Sequence, residues 1–139
     1  MSRSSKPTRI LVVDDDPGIR RLLVLLFQRE GWNVTTVADG ELAVEQIATA
    51  RPDVVVLDLM LPKRSGVEVL QDATLEDYPS AERVLVLTAA SQAQLRSLPS
   101  DLRIRKLIRK PFDNCELLQS VRACATPLRD DHTQGSAAG

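Results

Sequence analysis

The sequence has few aromatic residues and few cysteines, and both shortages narrow the possible folds and functions. Aromatic side chains make up 3% of the 139 residues, so Leu, Ile, Val and Ala must build the core. The two cysteines, Cys115 and Cys124, have no further Cys or His at metal-ligand spacing. This argues against a disulfide scaffold and a zinc site. We interpret both cysteines as small apolar core residues in a reducing compartment.

Long apolar runs and an excess of one charge are also missing. No stretch approaches the roughly 20 apolar residues of a membrane-spanning helix, and the N-terminal MSRSSKPTR lacks the apolar block of a signal peptide. A net charge of −1 argues against a general nucleic-acid binder and against a polybasic membrane-surface protein. The composition therefore predicts a soluble, cytoplasmic protein that contacts neither nucleic acid nor membrane directly.

The apolar residues fall into short β-rich runs that alternate with helical patterns. The predicted strands are Arg9–Asp14, Asn33–Val37, Asp53–Asp58, Arg83–Thr88 and Arg105–Arg109. The predicted helices are one ending at Gly31, then Glu41–Ala50, Ser65–Thr74, a short one near Ser91–Leu98 and a last one from about Asp113. Such alternation indicates a doubly wound α/β fold, with a five-stranded parallel sheet covered on both faces.

The length suits a single domain, which we place over residues 8–125. Residues 1–7 are expected to be an N-terminal tail. Residues 126–139 are small and polar, and we expect a disordered tail or the start of a linker there.

Polar residues collect where the predicted strands end. A doubly wound sheet binds its ligands outside the carboxyl ends of its strands, so these residues are candidates for a shared site. They are Asp14, Asp15 and Asp16 after the first strand, Asp58 at the end of the third, Thr88 at the end of the fourth, and Lys110 after the fifth.

Asp58 is the most unusual of these residues, because it interrupts the apolar run VVVLDLMLP over residues 54–62. Burying an unpaired carboxylate is costly, so Asp58 must lie at the strand end and have partners there. Asp16 has a simpler explanation, because it precedes Pro17 as a helix N-cap does. Thr88 and Lys110 would be ordinary strand and surface residues on their own, and they gain significance only beside the acids.

A cluster of carboxylates without His or Cys favours Mg²⁺, which binds oxygen ligands and relieves their mutual repulsion. We assign Asp14 and Asp15 to such a metal site. A metal, a lysine and a hydroxyl can share the charge of a phosphoryl group in transfer. A carboxylate can accept that group as an aspartyl-phosphate, which makes Asp58 the candidate nucleophile.

Five segments in order resemble the receiver domain of two-component response regulators: ILVVDDDPGIR, ADG, PDVVVLDLMLP, VLVLTA and RKPF. The resemblance covers about residues 8–125. It implies the flavodoxin-like (βα)₅ receiver fold and transfer of a phosphoryl group to Asp58 from a sensor histidine kinase or a histidine phosphotransfer protein. It also implies Mg²⁺ as cofactor, a signalling role without an external metabolite as substrate, and a possible phosphorylation-dependent dimer. The downstream partner is not identified.

The resemblance also assigns ligands and contacts. Asp14 and Asp15 would be the acidic metal pair, with Asp15 and Asp58 ligating directly and Met60 adding its backbone carbonyl. Thr88 and Lys110, at two further strand ends, would contact the phosphoryl oxygens.

The resemblance implies a cis peptide bond at Lys110–Pro111, an isomer essentially confined to X-Pro. The chain departs from the family at Leu107, where a Tyr or Phe is usual and its rotation is coupled to movement of Thr88. Leu107 therefore calls that switch into question. Pro99, in a segment unlike the family pattern, is expected to shorten the fourth helix.

Two other functions remain open. A phosphatase resembling the haloacid dehalogenases would use Asp14 as nucleophile and Asp16 beside it. That function leaves Asp58 without a role, and its later acidic pair is missing, because Asp130 and Asp131 lie in the polar tail. The second possibility is a receiver-like interaction module that takes no phosphate, which the atypical Leu107 keeps open.

Overall fold

The computed structural model describes residues 6–72, 75 and 79–125. Its strands are β1 (Arg9–Val13), β2 (Asn33–Val37), β3 (Val54–Leu57), β4 (Val84–Thr88) and β5 (Lys106–Arg109). Its α-helices are α1 (Pro17–Gln28), α2 (Gly40–Ala50), α3 (Gly66–Leu70), α4 (Gln92–Arg96) and α5 (Asn114–Ala125). Within these residues no helix is both long and apolar enough to cross a bilayer.

The five strands form one parallel sheet in the order β2-β1-β3-β4-β5. The order places β3 at the centre, with β1 on one side and β4 on the other. In the register, Leu57 of β3 pairs with Val13 of β1 and with Val86 of β4. The residues that follow these strands therefore emerge at one edge of the sheet. The predicted doubly wound fold is confirmed.

The core has two layers, one on each face of the sheet, because successive strand residues point to opposite faces. In β1, Ile10 and Val12 pack in the layer that contains Leu23 of α1 and Leu117 of α5. The alternate residues Leu11 and Val13 pack in the other layer, against side chains of α2 and α3. All four residues of β3 are buried, which explains why its sequence is apolar without alternation.

A residue with left-handed backbone conformation lies at or shortly after the end of each of the first two helices. Helix α1 ends at Gln28, three residues before the predicted end at Gly31, and Gly31 has a φ of +86° in the turn that follows. Helix α2 ends at Ala50, where Arg51 is the C-cap with φ of +47°, a conformation that a residue with Cβ adopts at some cost.

Helices α3 and α4 are shorter than predicted. Helix α3 ends at Leu70 rather than at Thr74, and residues 73 and 74 lie outside the described part of the chain. Helix α4 spans Gln92–Arg96 and stops three residues before Pro99, in line with the expected shortening. The proposed tails at residues 1–5 and 126–139 also lie outside the described residues.

The prediction for the cysteines was right for one residue and wrong for the other. Cys124 is buried in the layer of α1 and α5, but Cys115 is exposed. Both lie on α5, and the wrong prediction assigned a buried role from residue type alone. Burial raises the pKa of the Cys124 thiol to about 11, so it remains protonated at neutral pH.

We expect one thiol per folded molecule to react with Ellman's reagent at pH 8. Cys124 is protonated and inaccessible, and the attacking species is the thiolate. Addition of denaturant should raise the count to two. The Cys115→Ser variant serves as the control, and rapid reaction of this variant while folded would contradict the assignment.

Candidate functional site

Three strand ends bring two acids and a lysine into direct contact. The Nζ atom of Lys110 lies 2.7 Å from Oδ2 of Asp14 and 3.3 Å from Oδ2 of Asp58. The two carboxyl residues are 2% and 5% exposed, respectively. Their backbones extend the sheet, because the Asp14 and Asp58 N–H groups donate to carbonyl oxygens of the neighbouring strands. The predicted pairing of an ammonium with the acids at this edge is confirmed.

Asp15 completes a candidate metal centre beside this pair. Asp14, Asp15 and Asp58 each offer a carboxylate oxygen, and these atoms all lie within 4.8 Å of one another. Ligand oxygens around Mg²⁺ are about 3–4 Å apart, so small side-chain movements bring the three atoms to that geometry. Asp15 is exposed while the other two are buried, which leaves one side open for the water ligands that Mg²⁺ retains. The donor set therefore fits the predicted ion.

The remaining carboxylate oxygens are held by backbone groups of the loops. Oδ1 of Asp14 accepts a hydrogen bond from the Asp16 N–H at 2.9 Å. Oδ1 of Asp58 accepts one from the Met60 N–H at 3.0 Å. Arg20 donates from Nη1 to the Asp14 carbonyl oxygen at 2.8 Å. These bonds fix the two carboxyl groups with one oxygen of each facing Lys110.

Asp16 caps helix α1, as predicted. Its Oδ1 accepts hydrogen bonds from the Gly18 N–H at 2.8 Å and from the Ile19 N–H at 3.4 Å, and Pro17 is the first helical residue. Asp16 is outside the carboxylate trio of the candidate metal centre.

Thr88 and Leu107 lie on the neighbouring strands β4 and β5. Thr88 is fully buried, and its hydroxyl oxygen accepts a hydrogen bond from the Ala90 N–H at 3.2 Å. The hydroxyl hydrogen can still donate to another acceptor. Leu107 pairs with Val86 in the sheet register and is half-buried. The peptide bond between Lys110 and Pro111 is cis, as the resemblance implied.

Gly66 lets helix α3 approach the Asp58 backbone closely. A Cβ atom on Gly66 would lie 2.5 Å from the Asp58 carbonyl oxygen and 2.8 Å from the Leu59 Cα. Both contacts are with backbone, which cannot move aside as a flexible side chain can. The Gly66 N–H also donates to the Leu59 carbonyl at 3.0 Å. Gly66 therefore sets the position of the loop that carries Asp58.

The three carboxyl groups of the candidate metal centre outnumber the one lysine that contacts them. Burial raises the pKa of Asp14 above the ordinary 3.8, although the hydrogen bond from Lys110 acts in the opposite direction. Burial tends to lower the pKa of Lys110, but the bond to Asp14 and the charges of both acids outweigh it, so that pKa is raised. Lys110 is therefore charged at neutral pH, and three carboxyl groups share one ammonium.

We expect Asp14→Asn to raise the melting temperature of the metal-free protein by a few degrees at pH 7. The folded pKa of Asp14 lies above its ordinary value of 3.8, so folding becomes less favourable as the pH rises through that range. The neutral amide escapes this cost, and the advantage should vanish near pH 3. Melting curves in a chelator provide the measurement. Asp16→Asn is the matched control, because Asn caps a helix as well as Asp does. A lower melting temperature for Asp14→Asn at pH 7 would contradict the expectation.

Sequence reasoning missed the residues that position the site. The Arg20 side chain and the close approach at Gly66 were not identified. Arg20 lies on the first turn of a helix that directly follows the acids, which is a readable signal. Gly66 follows a Ser that fits the helix-start pattern S-x-x-E, and a glycine there could have been questioned. The Met60 N–H carried no signal, because a backbone donor is not specific to a residue type.

Comparison with known proteins places this geometry in a family. The family model described as the response regulator receiver domain matches residues 10–122. The response regulator MprA of Mycobacterium ulcerans is 40% identical over 134 residues, which cover 94% of this chain and 56% of MprA. The chain therefore spans little more than half the length of that relative.

Two solved structures show the same fold with ligands of interest. The first is the receiver domain of sensor histidine kinase PA1611 from Pseudomonas aeruginosa, with magnesium coordinated in the active site cleft. It has a TM-score of 0.74 and 25% identity, covering 87% of this chain and 100% of that one. The second is the BeF3-activated N-terminal receiver domain of Klebsiella pneumoniae RstA. It has a TM-score of 0.74 and 25% identity, covering 86% of this chain and 100% of that one.

Proposed function

Because the chain belongs to the response regulator receiver domain family, we propose that it accepts a phosphoryl group on Asp58 and switches an interaction surface in two-component signalling. The observation that carries the proposal is the contact of Lys110 with both Asp14 and Asp58 beside the open, exposed Asp15. This arrangement combines an acceptor carboxylate, a fixed ammonium and a set of oxygen ligands for a divalent cation.

Asp58 is the nucleophile of the proposed reaction. A carboxylate oxygen of Asp58 forms the new P–O bond as the bond from phosphorus to the donor breaks, and the leaving group is imidazole when the donor is a phosphohistidine. Lys110 is 3.3 Å from Oδ2 of Asp58, so it is placed to bind an oxygen of the incoming phosphoryl group. Thr88, at the end of the adjacent strand, would donate its hydroxyl hydrogen to another of those oxygens.

Asp14, Asp15, Asp58 and the backbone carbonyl of Met60 would hold Mg²⁺. When bound, the ion supplies positive charge against the phosphoryl oxygens in the transition state. Asp14 contributes mainly by holding Lys110 at 2.7 Å, which keeps the ammonium in place before the phosphoryl group arrives.

The phosphoryl donor we propose is a sensor histidine kinase or a histidine phosphotransfer protein, acting in the cytoplasm. The domain would catalyse its own phosphorylation and dephosphorylation and act on no external metabolite. Phosphorylation would also control any self-association of the domain.

The proposal is tested by intact-mass measurement after incubation with acetyl phosphate, with Mg²⁺ or with a chelator. We expect one phosphoryl group per molecule in the presence of Mg²⁺ and none with the chelator. Peptide mapping should place the label on the segment that contains Asp58. Label on Asp14 would indicate the dehalogenase-like phosphatase instead. No label from acetyl phosphate or from a phosphorylated histidine kinase would indicate an interaction module that takes no phosphate.

A further inference from the structure

Helix α4 is a short surface helix whose first turn is held by a side-chain cap. It has five residues and none of them is buried. Isolated helices of this length are not stable in water, so local contacts decide whether α4 is formed. Those contacts are a reciprocal capping box. Ser91 Oγ accepts from the Gln94 N–H at 3.1 Å, and Gln94 Oε1 accepts from the Ser91 N–H at 2.7 Å.

The Gln94 side chain makes a second contact outside its own helix. Its Nε2 lies 3.7 Å from the Sδ atom of Met60, which is within the range for a weak hydrogen bond to sulfur. Met60 is 48% exposed, so packing in the core does not fix its side chain. One amide group therefore joins the first turn of α4 to the loop that follows β3.

Met60 is in turn bonded to the acceptor carboxylate. Its N–H donates to Oδ1 of Asp58 at 3.0 Å. The contacts therefore run without interruption from Asp58 through Met60 and Gln94 to the cap of α4. Phosphorylation turns the Asp58 carboxylate into an acyl phosphate, whose carbonyl oxygen is a weaker acceptor than a charged carboxylate oxygen. The hydrogen bond that the Met60 N–H donates to Asp58 is then weakened, which alters the position of residue 60 relative to Gln94.

We propose that Gln94 is a positioning residue through which the first turn of α4 responds to the state of Asp58, with Met60 as the intermediate. The proposal rests on the phospho-acceptor function of Asp58 set out above. It gives the site a connection to α4 that needs no aromatic residue at position 107. Leu107 has no polar side-chain atom and lies on β5, so it cannot form a polar link of this kind.

The chain itself suggests the variant that separates the two contacts of Gln94. Helix α3 uses the same capping box with a glutamate, Ser65 with Glu68. Gln94→Glu should therefore retain the cap of α4 while removing the N–H₂ group that faces Met60. Gln92→Glu is the matched control. Gln92 is exposed on the same helix, and its substitution adds the same negative charge.

The measurement is amide hydrogen exchange at Leu95, whose N–H donates to the Ser91 carbonyl in the first turn of α4. Exchange is compared before and after saturation with Mg²⁺ and beryllium fluoride, a phosphoryl mimic. In the native protein and in Gln92→Glu, we expect exchange to become about threefold faster, the ratio that loss of one weak hydrogen bond produces. In Gln94→Glu, we expect exchange to be fast at the outset and unchanged by the mimic.

Met60→Ala provides a second test with the capping box intact. A cap that acts alone would leave the response of α4 unchanged in this variant, whereas the proposed connection predicts that the response is lost. An unchanged response in Gln94→Glu would overturn the proposal. So would a native protein that takes one phosphoryl group on Asp58 but shows no change at Leu95. A native protein that takes no phosphoryl group would overturn the phospho-acceptor function as well, so the two failures are distinguishable.

Discussion

Asp58→Asn is expected to remove all phosphoryl labelling by acetyl phosphate and Mg²⁺. An amide oxygen is a poor nucleophile, and the variant also loses one of the three ligand oxygens of the candidate metal centre. Asp14 does not substitute for it, because its carboxyl group is engaged by Lys110 and by the Asp16 N–H. Intact mass after incubation should equal that of the untreated variant.

Asp101→Asn is the matched control for this experiment. Asp101 is an exposed carboxylate beyond α4, so the substitution removes the same charge and leaves the site unchanged. We expect this control to be labelled as fully as the native protein. Equal labelling of Asp58→Asn and the native protein would show that another residue accepts the phosphoryl group.

Lys110→Met is expected to lower the free energy of unfolding by about 3 kcal/mol at pH 7 in a chelator. Removing one partner of a buried ion pair leaves an uncompensated charge, which costs about 3–5 kcal/mol. Here the substitution leaves two buried carboxyl groups, Asp14 and Asp58, without their shared ammonium. Urea unfolding, followed by circular dichroism, gives the value.

The conditions that reduce this loss identify its cause. Lowering the pH toward 5 should narrow the difference, because Asp14 already has a raised pKa and takes up a proton more readily once Lys110 is gone. Mg²⁺ at ten times its dissociation constant from the variant should raise the variant's own free energy of unfolding by about 1.4 kcal/mol above its value in the chelator. Arg109→Met, at the exposed adjacent position, should change stability little. A loss in Lys110→Met that ignored both pH and Mg²⁺ would indicate a packing defect instead.

The sheet and the position of the site could be predicted from the sequence because both depend on local patterns. Fully apolar runs mark buried parallel strands, and one carboxylate in such a run must lie at the strand end. Asp58 satisfied both conditions, and the structure places it beside Asp14 and Lys110. The functional roles of these residues remain predictions until labelling is measured.

The features that could not be predicted depend on contacts between distant segments. Gln94 contacts Met60, 34 positions away in the chain, and no sequence pattern in either segment predicts that contact. Helices α3 and α4 have five residues each, too few for apolar periodicity to define their ends. Their starts were nevertheless readable, because Ser65 with Glu68 and Ser91 with Gln94 both fit the capping-box pattern. The exposure of Cys115 followed from its place on α5 rather than from its residue type.

Strand β3 and helix α4 differ in burial, and this difference determines where the chain tolerates substitutions. All four residues of β3 are buried, two in each layer of the core, so any change in this strand disturbs the packing of one layer and acts on the strand that leads to Asp58. Helix α4 has no buried residue, so most of its surface can be replaced without loss of the core. Substitutions on α4 can therefore alter this surface while the buried strand and the carboxyl groups at its end stay the same.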